Sequence, residues 1–185
     1  MSVLPAGEGP PRHLRSLASP QREPPVAGAA LRNRLRALAA GVTVVTVPGP
    51  AGFTATSFLP VSLDPPLVAV HLGLRASTLR AVLDAEHFAV HVLAHDQREL
   101  AARFARSGVD RFARLAWHER AGVPVLDGVP LWLRARVTLR QELGDHLQVV
   151  GEVVELGGTT PDGPHTALVH HGGDLVPLRR EEAES

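Results

Sequence analysis

The chain has 185 residues, enough for one domain with a substantial core. Its 19 basic and 19 acidic residues cancel, which argues against a nucleic-acid-binding role, where a basic surplus is usual. Cysteine, lysine and tyrosine are absent, which removes disulfides, thiolate, iron–sulfur, Schiff-base and phenol chemistry and favours a reaction carried by a bound cofactor. Residues 1–27 are rich in Pro, Gly, Arg and Ser and read as a disordered or loosely packed arm, the functional alternative being an arm that wraps a partner subunit. The N-terminus has no apolar core like that of a signal peptide, and no apolar run approaches the ~18–20 residues of a membrane span. The expectation is a cytoplasmic protein with no membrane association, a single domain over 28–180 and a tail over 181–185.

Leu31, Leu35 and Leu38 follow helical spacing and predict a helix over 29–40, ended by Gly41. Residues 42–47 read as a strand closed by Pro48-Gly49-Pro50, with further strands over 53–62 and 67–72. A short helix over 77–83 and a strand over 88–93 follow. Asp96 with Glu99 reads as a capping box that opens a helix to about residue 106, with Leu100 and Phe104 on one face. Over 131–140 the alternation is clearest: Leu131, Leu133, Ala135, Val137 and Leu139 face one way and Trp132, Arg134, Arg136, Thr138 and Arg140 the other, a strand with one buried face. Residues 147–156 are its expected partner, with short strands near 166–170 and 175–178. Many strands and few helices predict an antiparallel barrel rather than a doubly wound sheet.

The run GFTATSFLPVSLDPPL, residues 52–67, sets Thr54, Ala55, Thr56, Ser57 and Ser62 among apolar side chains. Such a surface suits a flat polar ring that needs close approach, though an ordinary strand and turn explains it equally. In Arg75-Ala76-Ser77-Thr78, Ser77 is placed to cap the short helix, whose free N–H groups attract an anion that Arg75 can also bond; a plain cap beside a surface arginine is the alternative. Gly144-Asp145-His146 makes a turn with His146 at the start of the next strand. His87, His91 and His95 repeat every four residues, but on a strand such neighbours lie ~13 Å apart, too far to share a metal with ligands at ~2 Å. No metal site is expected. His170 and His171 point to opposite faces of a strand. No G-x-G-x-x-G follows a strand and opens a helix, so a Rossmann domain is absent.

Taken in order, GVTVVT, SFLPVSLDPPL, RASTLRAVLDAEHFAVHVLAHDQRELAARFA, DRF, GVPVLDGVPLWLRARV and GDHLQVVGEVVEL resemble the short-chain flavin reductases, the FMN-binding split-barrel family that supplies reduced flavin to two-component monooxygenases. The resemblance covers roughly residues 31–179. It implies a mainly β split barrel with Greek-key connections and flanking α-helices, assembled as a homodimer. It also implies an NAD(P)H:flavin oxidoreductase, with FMN or FAD as flavin, NADH or NADPH as co-substrate, and a flavin-dependent monooxygenase component as partner through diffusible reduced flavin.

By the same resemblance the flavin ring lies along Thr54 to Ser62, with Thr54 among the cofactor-binding residues, Thr56, Ser57 and Ser62 near the ring's polar edge and backbone groups of Ala55 and Phe58 assisting. The phosphate falls at Arg75, Ser77 and Thr78. His146 lies by the flavin and nicotinamide site as a positioning or electrostatic residue. Phe104, Arg103 and Arg111 belong to a family segment near the cleft, where core packing for the ring and a solvated face for the arginines is the preferred reading. The family's aromatic-rich C-terminal strand is replaced here by His170-His171-Gly172-Gly173-Asp174, without a ring. Two other functions remain open: a retained flavin acting directly on an organic substrate, and a non-catalytic flavin- or haem-binding carrier or sensor.

Overall fold

The computed structural model describes residues 24–159 and 166–178. The expected arm apart from 24–27, the end of the expected domain at 179–180 and the tail over 181–185 lie outside the described residues. The chain divides into two units, residues 1–34 and 35–185. In the first, helix α1 (Gly28–Leu35) buries none of its residues. It is shorter than the leucine spacing predicts. Beyond it, the Gly172 amide donates to the Arg36 carbonyl at 2.9 Å, and the Arg36 guanidinium donates back to the Gly172 carbonyl at 2.6 Å. Ala40 and Gly41 then pair with His170 and Val169. Gly41 is therefore a strand residue and not a helix stop, because a distant hairpin offers its backbone better partners than another helical turn would.

The strands in chain order are β1 (Ala40–Gly41), β2 (Thr43–Val47), β3 (Ala51–Ala55), β4 (Leu59–Leu63) and β5 (Pro66–Gly73). After α2 (Leu79–Asp84) come β6 (His87–Val92) and α3 (Arg98–Ala105). Then follow β7 (Trp117–Arg120), β8 (Val123–Leu126), β9 (Leu131–Leu143), β10 (His146–Gly157), β11 (Leu168–His171) and β12 (Asp174–Pro177). A 3₁₀ turn, His95–Gln97, precedes α3, so the box expected from Asp96 and Glu99 is shifted: the Gln97 side-chain oxygen accepts from the Ala94 amide at 3.0 Å. The β7–β8 hairpin was not predicted. Its two turn residues, Ala121 and Gly122, both have positive φ (47° and 82°), and alanine at the first of them gives little sequence warning of such a turn.

Seven strands form one antiparallel sheet in the order β3-β2-β6-β9-β10-β5-β4. It is the mainly β split barrel with flanking helices. Its edge strands, β3 and β4, are consecutive in sequence yet make no ladder with each other. The single strand expected over 53–62 is thus two strands with a break at 56–58.

The middle of this sheet is buried on both faces. Val45, Phe53, Val70, Phe88, Leu133 and Ala135 pack into one cluster. Val44, Ala89, Leu93, Phe104 and Trp132 pack into another, with Val123 and Val125 of β8 and Ala101 of α3. This corrects the one-sided reading of β9: Trp132 is buried opposite Leu133 because α3 and the β7–β8 hairpin cover the second face. At Gly52 a Cβ would meet the Val45 carbonyl at 2.7 Å and the Phe104 ring at 2.8 Å, so β3 can lie against α3 only without a side chain there. No helix among the described residues is long and apolar enough to cross a membrane.

Candidate functional site

An open cleft of about 360 Å³ lies beside the break between β3 and β4. Its walls come from residues 53–57, the end of β5, segment 76–78, the end of α3 with Ser107 and Arg111 after it, and the first residue of β10. The β5–β10 ladder sets one side, with His71 opposite Gln148 and Gly73 opposite His146. Positions two apart share a face, so His146 lies on the same side of the sheet as the His71–Gln148 pair.

The break is organised by Ser57. Its hydroxyl accepts from the His71 amide and donates to the His71 carbonyl, both at 3.1 Å, standing in for a strand pair with β5. The His71 ring is held in turn: Nε2 lies 3.1 Å from the Gln148 side-chain nitrogen, which can only donate, so the ring proton sits on Nδ1, 3.4 Å from the Ser57 carbonyl. Thr54 is also engaged, donating to the Ala101 carbonyl at 2.6 Å and tying β3 to α3. Thr56 is exposed at the cleft, and its hydroxyl has no partner among the described residues.

At the entry of α2, Thr78 and not Ser77 is the N-cap, and no side chain caps the helix. Ser77 Oγ instead accepts from Arg111 Nη2 at 3.1 Å. The Arg111 Nε donates to the Arg106 carbonyl at 2.8 Å, which fixes the guanidinium at the cleft rather than on a solvated face. Thr78 is 5% exposed, and its buried hydroxyl has no hydrogen-bond partner. A buried unpaired hydroxyl costs about 1–3 kcal/mol, a penalty that a bound acceptor would remove.

His146 lines the cleft, and its Nδ1 is 2.7 Å from an Asp145 carboxylate oxygen. That bond orients the ring and leaves Nε2 without a protein partner among the described residues.

The structure thus brings Thr54, Ala55, Thr56, Ser57, Ser77, Thr78 and His146 to one cleft. Phe58, Ser62 and Arg75 are not among its lining residues: Phe58 packs against the first core cluster, Ser62 accepts from the Asp64 amide at 3.2 Å, and Arg75 is exposed. Phe104 is both core and cleft wall, fully buried with its ring edge-on to Phe112 at 5.2 Å. Arg103 donates to the Ala113 carbonyl at 2.6 Å and does not line the cleft. Sequence reasoning missed His71 and Ser107. A polar residue inside the apolar run of β5 was the available signal for His71; Ser107 carried none.

His91, from the four-residue histidine repeat, lies deep in the second core cluster's sheet. Its Nδ1 donates to the Val44 carbonyl and its Nε2 accepts from the Leu126 amide, both at 3.0 Å. Burial lowers its pKa to about 4, partly opposed by the Val44 hydrogen bond and slightly reinforced by the charge of His118. With both ring nitrogens engaged in the core, it belongs to the fold.

Comparison with known proteins matches residues 35–179 to the family model described as "Flavin reductase like domain". An NADH:FMN oxidoreductase of Rhodococcus qingshengii is 41% identical over 162 residues, covering 84% of this chain and 84% of that protein. The reductase component of a flavin-dependent trigonelline monooxygenase from Acinetobacter baylyi is 39% identical over 128 residues, covering 66% of this chain and 41% of the relative. Among solved structures, the NADH:FAD oxidoreductase SgcE6 of Streptomyces globisporus superposes with a TM-score of 0.75 at 32% identity, covering 88% of this chain and 100% of that one.

Proposed function

The chain belongs to the flavin reductase-like family, and from that premise we propose that it is an NAD(P)H-dependent flavin reductase that reduces FMN or FAD and supplies the reduced flavin to a separate monooxygenase component. The observation that carries the reading is Thr78 Oγ1, a buried hydroxyl without a partner, in a cleft also lined by Arg111, His146 and the exposed Thr56. A flat ring bearing a phosphate fits that set: the unpaired hydroxyl and the guanidinium suit the anion, and the open strand edge suits the ring.

Bound dihydronicotinamide and flavin would supply the chemistry, a hydride transfer between the two rings with water furnishing the accompanying proton. The protein's part is placement. Ser77, Thr78 and Arg111 hold the phosphate. Thr56 and the backbone of Ala55 and Ser57 meet the polar edge of the ring. His146, oriented by Asp145, would help place the rings. Because Thr54 and Ser57 have already committed their hydroxyls to the Ala101 carbonyl and the His71 backbone, few side-chain bonds are left for the ring. Loose holding favours flavin that enters and leaves as a substrate over flavin that stays.

The relatives' names support NADH as reductant and leave both flavins in play. The proposal includes a cytoplasmic homodimer. Leu59, Val61 and Leu63 on edge strand β4 are 53%, 54% and 92% exposed, an apolar edge that a second copy would cover. The deciding experiment is oxidation of NADH and of NADPH by the purified protein with no flavin, with FMN and with FAD. Turnover that requires added flavin supports the reading. Tight flavin retention without turnover would overturn it in favour of a carrier.

A further inference from the structure

The register of β4 on β5 sets Leu59 opposite Ala69. Continued by two residues, it would set Ser57 opposite His71, with the two main chains exchanging bonds. At that position the Ser57 side chain takes the place of its backbone, and the hydroxyl bonds both the amide and the carbonyl of His71. The Ser57 main chain therefore stands off from β5. Its carbonyl meets the His71 ring instead, accepting from Nδ1 across a long 3.4 Å.

His71 thus engages two of the three polar groups of Ser57, the hydroxyl and the carbonyl. The third, the amide N–H, donates to no group among the described residues. Ser57 lines the cleft, so what it has left for a ligand is a donor and no acceptor. Ala55, another lining residue, has its carbonyl covered in the same way, by the Thr43 hydroxyl at 3.0 Å. The ring that covers Ser57 is itself fixed. Gln148 lies directly across the β5–β10 ladder, and its side-chain nitrogen donates to His71 Nε2 at 3.1 Å, which keeps the ring proton on Nδ1, facing the carbonyl.

A position that offers only a donor favours a ligand edge on which negative charge develops. A flavin gains such charge when it accepts a hydride. A free carbonyl at the same place would oppose it, because the oxygen carries the negative end of the dipole.

We propose that His71 is a positioning residue for flavin reduction: by covering the Ser57 carbonyl it leaves the Ser57 amide alone to meet the ring, so the cleft favours reduced over oxidised flavin. The assignment rests on the flavin reading of the cleft. His71 acts through Ser57 and needs no contact with the flavin.

Three variants test it. His71→Ala uncovers the carbonyl. His71→Asn keeps an N–H donor close to the place of Nδ1. Gln148→Leu leaves the ring and removes the bond that fixes its tautomer. Oxidised FMN and, without oxygen, dithionite-reduced FMN are titrated into each chain by calorimetry, with no nicotinamide present. His71→Ala should weaken reduced FMN about fivefold more than oxidised FMN, the scale of one hydrogen bond. His71→Asn should return the ratio of the two affinities toward the native value, and Gln148→Leu should shift it in the direction of His71→Ala by a smaller factor.

A histidine that only supports the fold would weaken both forms alike or lower the urea midpoint alone. An unmoved ratio in His71→Ala overturns the proposal and leaves the flavin site standing, as does a His71→Asn ratio no closer to native than that of His71→Ala. If His71→Ala does not fold, Gln148→Leu decides by the same ratio. Failure of the native chain to bind FMN in either form would overturn the flavin reading of the cleft, and the role of His71 with it.

Discussion

Arg111 Nη2 donates to Ser77 Oγ at 3.1 Å, joining the loop after α3 to the entry of α2 across 34 positions of sequence. The bond places a fixed cation beside a buried hydroxyl that has no partner. Arg111→Ala should therefore raise KM for FMN by about tenfold or more, the range for a hydrogen bond to a charged group, with a smaller change in kcat. Arg111→Lys should recover only part of the loss, since an ammonium keeps the charge without the planar fork. Steady-state kinetics with FMN at saturating NADH is the check. An unchanged KM in Arg111→Ala would remove the phosphate from this end of the cleft.

Thr78→Val separates stability from binding. The side chains are close in shape, and the change deletes a hydroxyl that is buried and unsatisfied. The free protein should gain about 1 kcal/mol in urea unfolding while flavin affinity falls about fivefold. A structural hydroxyl would show the opposite sign in the unfolding experiment.

His146→Ala should slow flavin reduction more than it weakens flavin binding, because the ring lines the cleft without a hydrogen bond to Ser77, Thr78 or Arg111. Stopped-flow reduction at saturating flavin, alongside a fluorescence titration of flavin, separates the two effects. Equal turnover in the variant and the native protein would take His146 out of the site.

The buried His91 makes a prediction about pH. Its folded-state pKa, about 4, lies below the value of 6.5 for an unburied histidine. Below pH 6.5 the unfolded chain takes up a proton that the folded chain refuses. Stability is therefore full above that pH and declines as pH falls toward 4. From this group alone the loss should reach about 2 kcal/mol by about pH 5. Urea midpoints measured between pH 7.5 and pH 5 test this; a flat profile would mean that folded His91 takes up its proton as readily as the unfolded chain, which requires giving up the bond its Nε2 accepts from Leu126.

Phe104 is the least exposed ring between core and cleft. Phe104→Ala should cost about 3–5 kcal/mol in unfolding free energy and also loosen the cleft wall, raising KM for flavin. Phe104→Leu, which refills most of the volume, should restore most of the stability.

Several elements could be read directly from the chain. The strand at β6, the paired runs of β9 and β10 and the short strands β11 and β12 follow from alternation and apolar content, which act within a few residues. The break at 56–58 could not be read so, because Thr56, Ser57 and Phe58 look like a continuation of the strand. It exists because Ser57 finds the backbone of His71, 14 residues on. The helix expected to reach residue 40 stops early for a similar reason, since Arg36 and Gly172 meet across 136 positions.

By itself, then, the sequence determined the chemistry available to this protein. It supplies no thiol, no lysine amine and no phenol, a hydroxyl-rich run before two prolines, and a histidine after a turn. Side-chain inventory and local periodicity are written residue by residue. The tertiary structure alone decided which of those groups are left to act. Thr54 and Ser57 spend their hydroxyls inside the fold, Thr78 is buried with its hydroxyl unmatched, and Arg111 reaches Ser77. A hydrogen-bonding group is free or committed only in relation to partners that long-range packing brings within about 3 Å, and no local pattern encodes that approach.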